Sequence, residues 1–240
     1  SEDGDALPVL LSLHGGGDYA EFNMQYTDFS ANAESDSFIA IFPQGYFYGN
    51  KATTGWNTEG DGIDDVIFIE RIIDWIGATH NVELKEVYVA GFSNGGFFSY
   101  FLACNLDKFA AIGSVAGTMI DDSFQNCNAL VPTGMINIHG TADSIVPYNG
   151  DGGGMTSIND VLEYWRYFNS CTVIKETNDS SYGPVTQYNY YDDNGGLYVQ
   201  HYKETGGGHY WSKGLTFNGK NTNDLVWDFV SKFDINGIID

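Results

Sequence analysis

Positive charge is scarce in this chain. Its 240 residues include ten Lys and Arg against 32 Asp and Glu, which gives a net charge of −22 at pH 7 with neutral histidines. Nucleic acids and anionic membranes attract basic patches, so this composition argues against both as partners and against polyanionic substrates. We interpret the excess of acidic residues as a solvated surface.

Long apolar runs are lacking as well. No stretch approaches the roughly 18 to 20 apolar residues of a membrane-spanning helix, so we expect no association with a membrane. No cleavable targeting segment is present, and we expect that any signal peptide has been removed. With 42% hydrophobic residues the chain can bury a sheet between helices, and we predict a single domain over residues 1–240. We expect a monomer or a weak oligomer.

Cysteine is limited to three residues, Cys104, Cys127 and Cys171. None of them lies in a C-x-x-C pair, so the sequence does not support a zinc or redox motif.

What the chain does contain is a serine between glycines at a predicted strand-to-helix turn. The β-branched and aromatic run Val87–Ala90 leads directly into Gly91-Phe92-Ser93-Asn94-Gly95, and a segment compatible with a helix follows. A bare G-x-S-x-G arises by chance in many chains, but a strand before it and a helix after it are what a nucleophile elbow requires. Ser93 is therefore the candidate nucleophile.

A serine hydroxyl needs a base, and the base needs a carboxylate to orient it. His209 lies in a glycine-rich loop after a predicted strand, where an imidazole can reach over the end of the sheet. Asp143 follows the buried-strand pattern Met135–Ile138, although an aspartate there could also simply cap a turn. The order Ser93, Asp143, His209 is that of the α/β-hydrolases, and it favours the catalytic interpretation. We interpret the other histidines as structural or surface residues: His14, His80, His139 and His201.

A glycine-rich loop also follows the first apolar strand. Its sequence is His14-Gly15-Gly16-Gly17, which is typical of esterase oxyanion loops and pairs with the N–H of the residue after the nucleophile. We predict Gly16 and Asn94 as the oxyanion donors, with Gly17 as the next candidate, and His14 as a structural brace. A phosphate-binding loop is the alternative, but no Gly-Lys-Ser/Thr follows.

Together these motifs resemble a known family. LHGGGD, FPQG, GWN, DDV, GFSNGG, HGTAD and GGGHYW, in this order, are similar to secreted bacterial esterases of the poly(3-hydroxybutyrate) depolymerase-like or feruloyl esterase-like family, related to carbohydrate esterase family 1. The resemblance implies an α/β-hydrolase fold with Ser93, Asp143 and His209 as the triad. Relatives act on feruloyl esters, acetylated xylan, hydroxyalkanoate polyesters and small aryl esters, so the substrate stays open. Relatives usually carry an extra strand pair before the first buried strand, and we expect that pair to be missing here.

The resemblance also bears on the cysteines. Relatives in an oxidising compartment could pair two of the three. Cys104, at the end of the elbow helix, and Cys127, before the Asp143 strand, are the preferred pair. Three buried free thiols are the alternative.

Apolar runs and helical stripes alternate along the chain, which predicts a mostly parallel sheet with helices on both faces. The predicted strands are Val9–Leu13, Phe38–Phe42, Val87–Ala90, Ala111–Val115, Met135–Ile138 and Tyr198–Tyr202. Amphipathic helices are predicted from Val66 to Ile76 behind Asp64 and Asp65, from Ile158 to Phe168 behind Ser157, and from Val226 to Phe233.

Aromatic and apolar residues close to these motifs suggest a slot for an aromatic or short acyl group. We predict Trp56, Trp211, Tyr19 and Val146 as substrate-binding residues, while packing of the loops is the alternative role for the rings. The sequence thus predicts an extracellular serine carboxylic-ester hydrolase without metal or organic cofactor, acting on feruloyl, acetyl or related esters, including polymer-bound ones. A polyester depolymerase is one alternative, and a catalytically inactive carbohydrate-binding module is another.

Overall fold

Strands and helices alternate along the chain, as the apolar runs predict. The computed structural model describes residues 4–46, 53–59, 64–214 and 216–239. The strands are β1 (Leu7–Leu13), β2 (Ile39–Ile41), β3 (Val82–Phe92), β4 (Ala111–Val115), β5 (Gly134–Gly140), β6 (Val173–Asp179), β7 (Val185–Tyr191), β8 (Leu197–Glu204), β9 (Phe233–Asp234) and β10 (Gly237–Ile238). The helices are α1 (Ala20–Thr27), α2 (Ser30–Asp36), α3 (Asp65–Thr79), α4 (Asn94–Asn105), α5 (Asp121–Asn126), α6 (Ile158–Phe168) and α7 (Thr222–Val230).

The main sheet has eight strands in the order β2-β1-β3-β4-β5-β8-β7-β6. The neighbours from β2 to β8 run parallel, and β7 and β6 add an antiparallel hairpin at one edge. Because parallel strands point in the same direction, the loops after β1, β3, β5 and β8 all lie at the carboxyl ends of the strands. Those four loops carry the predicted oxyanion glycines, serine, aspartate and histidine.

Helices cover both faces of the sheet. On β3, Val87 and Val89 pack into one apolar cluster with α3, α4 and α6, whereas Tyr88 and Ala90 pack into a second cluster with α7. This alternation follows from the opposite directions of successive side chains in a strand. The predicted architecture, a mostly parallel sheet between helices, is therefore confirmed.

The two edges of the sheet differ. Among the described residues, β2 forms one edge of the main sheet. At the other edge, β6 is exposed along nearly its whole length. The sequence analysis did not predict β6 or β7.

A disulfide joins Cys104 at the end of α4 to Cys127 just after α5. The preferred pairing is therefore confirmed, and the alternative of three free thiols is wrong. Cys171 keeps a buried thiol with no disulfide partner in the described part of the chain.

Candidate active site

Ser93 occupies the turn between β3 and α4 with a backbone φ of 53° and ψ of −121°. A positive φ is unfavourable for a residue with a side chain, so neighbouring contacts must maintain it. The Ser93 N–H donates to the Val115 carbonyl at 2.9 Å, and the Phe97 N–H donates to the Ser93 carbonyl at 3.0 Å. A Cβ at Gly91 would lie 2.2 Å from the carbonyl carbon of Gly95, so this turn can form only with glycine there.

The structure brings Ser93, His209 and Asp143 into one hydrogen-bonded line. His209 Nδ1 lies 2.7 Å from Asp143 Oδ2, and His209 Nε2 lies 2.9 Å from Ser93 Oγ. An ionised carboxylate can only accept, so Nδ1 carries the hydrogen and Nε2 is left to accept the serine proton. The Asp143 side chain is fully buried, whereas 17% of the His209 side chain is exposed. This is the geometry that a general base next to a nucleophile needs.

The two carboxylate oxygens of Asp143 have different partners. Oδ1 accepts the backbone N–H groups of Ile145 and Val146, both at 2.9 Å, and Oδ2 faces His209. Asp143 therefore caps its own turn and also orients the imidazole. The sequence left open a turn cap and a catalytic acid for this residue. The structure is compatible with both, because Oδ1 caps the turn and Oδ2 faces His209.

The loop that carries His209 is bonded to the loop that carries Asp143. The Ala142 N–H donates to the Gly207 carbonyl, and the Gly206 N–H donates to Thr141 Oγ1, both at 2.9 Å. A Cβ at Gly140 would lie 2.2 Å from the Gly207 carbonyl oxygen, so this approach requires glycine at the end of β5. The base and the acid are therefore held together by backbone contacts as well as by their own hydrogen bond.

The predicted oxyanion donors are neighbours in space. A Cβ at Gly16 would lie 3.5 Å from Asn94 Cβ. Among the described residues the Gly16 N–H has no hydrogen-bond partner, whereas the Gly17 N–H donates to the Thr54 carbonyl at 2.7 Å. The Asn94 N–H is the first of α4, and the first N–H groups of a helix have no acceptor within it. The geometry thus favours Gly16 over Gly17 as the donor that accompanies Asn94.

His14 braces the glycine loop after β1, the predicted oxyanion loop, through both ring nitrogens. The Gly45 N–H donates to His14 Nε2 at 2.9 Å, so Nδ1 carries the hydrogen and donates to the Gly15 carbonyl at 2.8 Å. That carbonyl belongs to the same planar peptide unit as the Gly16 N–H, so the imidazole fixes the direction of the donor. Burial lowers the pKa of His14, which keeps the ring neutral.

A cavity of about 490 Å³ opens in front of Ser93. Its lining includes five apolar side chains: Phe97, Ile120, Ile145, Val146 and Met155. It also includes four polar side chains: Thr53, Thr54, Thr58 and Glu59. Of the predicted substrate-binding residues, the structure brings Val146 to this cavity.

Two of the predicted substrate-binding residues, Trp56 and Trp211, are buried away from the cavity. Trp56 is fully buried, stacked on Phe98 with ring centroids 5.3 Å apart, and does not line the cavity. Trp211 is buried against Phe29 on the other side of the sheet, and its indole N–H donates to Asn223. Both predictions are wrong because these rings fill the hydrophobic core. Tyr19 is exposed at the start of α1, next to Phe22, and lies outside the cavity lining.

The sequence analysis missed most of the cavity wall. Ile120 and Met155 reach it from two loops that meet through a single antiparallel bridge. No motif marks either residue, because their proximity is a tertiary contact. Thr58 and Glu59 directly follow the GWN motif, and that position was the available signal.

The sheet order and the hydrogen-bonded arrangement of Ser93, His209 and Asp143 are those of the α/β-hydrolase fold. The chain superposes on the acetyl xylan esterase from Aspergillus awamori with a TM-score of 0.67, over 95% of this chain and 89% of that one, at 14% sequence identity. At this identity the likeness shows the fold, and the predicted fold class is confirmed.

The chain is similar in sequence to curated esterases. The chain is 28% identical over 233 residues to a bifunctional acetylxylan esterase/xylanase of Neocallimastix patriciarum, covering 96% of this chain and 32% of that protein. It is 29% identical over 187 residues to feruloyl esterase B of Piromyces equi, covering 72% of this chain and 32% of that protein. The chain is thus a homologue of feruloyl and acetylxylan esterases, and it spans about a third of the length of these curated relatives.

The family-level resemblance predicted from the motifs is therefore confirmed, while a bacterial source and secretion stay predictions. No protein-family model matches the chain. Within the described residues, no helix combines the length and apolar character needed to cross a membrane.

Proposed function

We propose that this chain is a serine carboxylic-ester hydrolase that acts through an acyl-enzyme. The observation that carries the proposal is the hydrogen-bonded line from Asp143 through His209 to Ser93, at the wall of a cavity large enough for a small ester. The esterase relatives support the same reaction class.

In the acylation step, Ser93 Oγ attacks the ester carbonyl carbon while His209 Nε2 takes its proton. The Asp143 carboxylate stabilises the imidazolium, and the N–H groups of Gly16 and Asn94 bind the oxyanion. The tetrahedral intermediate then collapses, the C–O bond to the alcohol breaks, and the alcohol leaves with the proton from His209. A water molecule, deprotonated by His209, then attacks the carbonyl carbon of the acyl-enzyme. The bond to Ser93 Oγ breaks, Oγ takes the proton back from His209, and the acid leaves. No metal or organic cofactor takes part in the proposed reaction.

The proposed substrates are acetyl or feruloyl esters, including those bound to a polysaccharide. We propose that the reaction takes place outside the cell. The names of the relatives support both acyl groups. The apolar lining residues, among them Phe97, Ile145 and Val146, suit an acyl group, because burying apolar surface favours binding. The threonines of the lining and Glu59 suit a hydroxylated alcohol.

The first test is hydrolysis of p-nitrophenyl acetate by the wild type and by Ser93→Ala. Loss of a triad nucleophile costs on the order of 10⁴-fold or more in rate, and we expect a loss of that size. Ser35→Ala, a substitution on the surface helix α2, serves as the matched control and should leave the rate unchanged. A Ser93→Ala enzyme with the wild-type rate would refute the proposal.

A second test separates an esterase from an inactive carbohydrate-binding module. A serine-directed fluorophosphonate should phosphonylate Ser93 Oγ with loss of fluoride, which mass spectrometry detects as a mass increase in the wild type and not in Ser93→Ala. Methyl ferulate, acetylated xylan, a hydroxybutyrate oligomer and an aromatic polyester film then separate the substrate classes by product release. Turnover of the polyesters alone would assign the chain to depolymerases.

A further inference from the structure

The two proposed oxyanion donors lie on different parts of the chain. Gly16 belongs to the loop after β1, and Asn94 begins α4. An oxyanion hole works only if both N–H groups point to the same place before the charge develops. The structure contains a chain of hydrogen bonds that connects these two segments, and it passes through Trp56.

The first link is the carboxamide of Asn94. Its Oδ1 accepts the Trp56 backbone N–H at 2.7 Å, and its Nδ2 donates to the Trp56 carbonyl at 3.1 Å. The orientation of the carboxamide is fixed by its partners, because an N–H can only donate and a carbonyl can only accept. A Cβ at Gly55 would lie 2.9 Å from Asn94 Oδ1, so the glycine leaves room for this link.

The second link is the indole of Trp56. Its Nε1 donates to the His14 carbonyl at 3.0 Å, at the start of the oxyanion loop. The ring is fully buried and nearly parallel to Phe98, with an interplanar angle of 6°. A buried ring held between an aromatic neighbour and a hydrogen bond cannot change its rotamer without moving the core.

The third link is the oxyanion loop itself. The His14 ring holds the Gly15 carbonyl, and the Gly17 N–H donates to the Thr54 carbonyl, so the peptides on both sides of Gly16 are fixed. The Gly16 N–H and the Asn94 N–H are therefore joined by a continuous path through one buried tryptophan.

We propose that the side chains of Asn94 and Trp56 are positioning residues for the oxyanion hole, which hold the N–H groups of Gly16 and Asn94 in register. The inference rests on the proposed esterase function. Neither side chain touches the reacting atoms; each acts through a backbone donor. The role differs from substrate binding, because it affects every ester equally.

The test uses Asn94→Ala and Trp56→Phe, each with a matched control. Trp56→Phe removes the indole N–H and keeps a ring against Phe98. Its control is Trp165→Phe, since Trp165 is equally buried and its indole N–H has no partner among the described residues. The control for Asn94→Ala is Asn105→Ala, on the same helix, where the carboxamide bonds only to the Phe101 carbonyl at 2.8 Å within the described structure.

The measurements are made per active site, counted by fluorophosphonate titration. A displaced donor costs about 10- to 100-fold in kcat, and we expect a loss in this range for both variants. KM should change much less, and the loss should be equal for p-nitrophenyl acetate and methyl ferulate. A boronic acid forms a tetrahedral adduct with Ser93 Oγ and places an oxygen at the donors. Its inhibition constant should therefore rise by the same factor as kcat/KM falls.

Each result decides the matter. The inference is wrong if kcat per titrated site stays within about twofold of the wild type, a change too small for a displaced donor. It is also wrong if boronate affinity is unchanged, or if Trp165→Phe loses as much activity as Trp56→Phe. Should Asn94→Ala not fold, Trp56→Phe decides alone. A wild type that neither hydrolyses esters nor reacts with the fluorophosphonate refutes the proposed function instead.

Discussion

His139 donates its Nε2 hydrogen to the Val146 carbonyl at 2.8 Å, across the turn that presents Asp143. The same nitrogen lies 3.5 Å from Asp143 Oδ2, and both side chains are fully buried. Burial lowers the pKa of His139, so the neutral ring acts as a fixed donor. The position of the acid thus depends on a histidine at the end of β5, four residues earlier in the sequence.

We expect His139→Leu to lower kcat by about 10-fold, because loss of the Nε2 hydrogen-bond donor displaces Asp143, which then orients His209 less well. KM should change little, since His139 does not line the cavity. Steady-state kinetics per titrated active site give both values. His80→Leu, at the exposed end of α3, is the control. An unchanged kcat in His139→Leu would show that the Val146 contact is dispensable.

His201 makes the folding stability depend on pH. Its Nδ1 donates to the Asn137 carbonyl at 3.2 Å, and its Nε2 accepts from the Tyr148 hydroxyl at 2.8 Å. Complete burial lowers the pKa of His201 from 6.5 to about 3. Between these two values the unfolded chain binds a proton that the folded chain does not, so stability falls as the pH falls.

In that window one such group changes the free energy of unfolding by on the order of 1 kcal/mol per pH unit. His201→Gln can keep both hydrogen bonds without titrating, and we expect a shallower pH dependence of stability. Urea unfolding at a series of pH values between 6.5 and about 4 measures the slope. His14 and His139, whose pKa values burial also lowers, should leave part of the slope in place. A slope identical to that of the wild type would contradict the expectation.

The Cys104–Cys127 disulfide closes a loop with a sequence separation of 23. Cross-linking a loop of this size stabilises a protein by about 3 kcal/mol, mainly by restricting the unfolded chain. We expect a loss of this order in Cys104→Ala/Cys127→Ala, measured by urea unfolding without reductant. Dithiothreitol should destabilise the wild type and leave the double variant unaffected. Equal sensitivity of the two proteins to the reductant would rule out the disulfide as the cause.

Ile145 is 61% exposed and lines the cavity, so it is available for contact with a bulky acyl group. We expect Ile145→Ala to lower kcat/KM for methyl ferulate by about 5- to 10-fold, because it removes apolar area from the contact with the ring. p-Nitrophenyl acetate, which has a smaller acyl group, should be affected less. Ile174→Ala, on the exposed edge strand β6, is the control. A parallel loss on both esters would place Ile145 outside the acyl site.

The sequence predicted the parallel part of the main sheet and the proximity of the candidate catalytic residues. Buried parallel strands are marked by continuous apolar runs, and the structure places every such run in the sheet. Ser93, Asp143 and His209 could be placed together because each follows one of these strands in a glycine-containing loop. β6 and β7 could not be predicted in this way. β6 in particular carries mostly exposed side chains, so no apolar pattern distinguishes it from a loop.

The burial of Trp56 and Trp211 could not be predicted from the local sequence. Trp56 lies between Gly55 and Asn57, which looks like a surface loop, yet it packs on Phe98 far along the chain. Trp56 is buried because its loop packs against α4, and the residues around Trp56 do not indicate this tertiary contact. The same holds for Ile120 and Met155 in the cavity wall.

The structure also separates the positions that can vary from those that cannot. Gly91 and Gly140 have backbone atoms where a Cβ would be, so any other residue there would disrupt the arrangement of serine, base and acid. Ile145 and Glu59, by contrast, are exposed at the mouth of the cavity and carry no such restriction. Substitutions can therefore accumulate at the mouth while the chemistry is retained. A library randomised at these two exposed positions should yield many folded, active variants with altered ester preference, whereas one randomised at the two glycines should yield almost none.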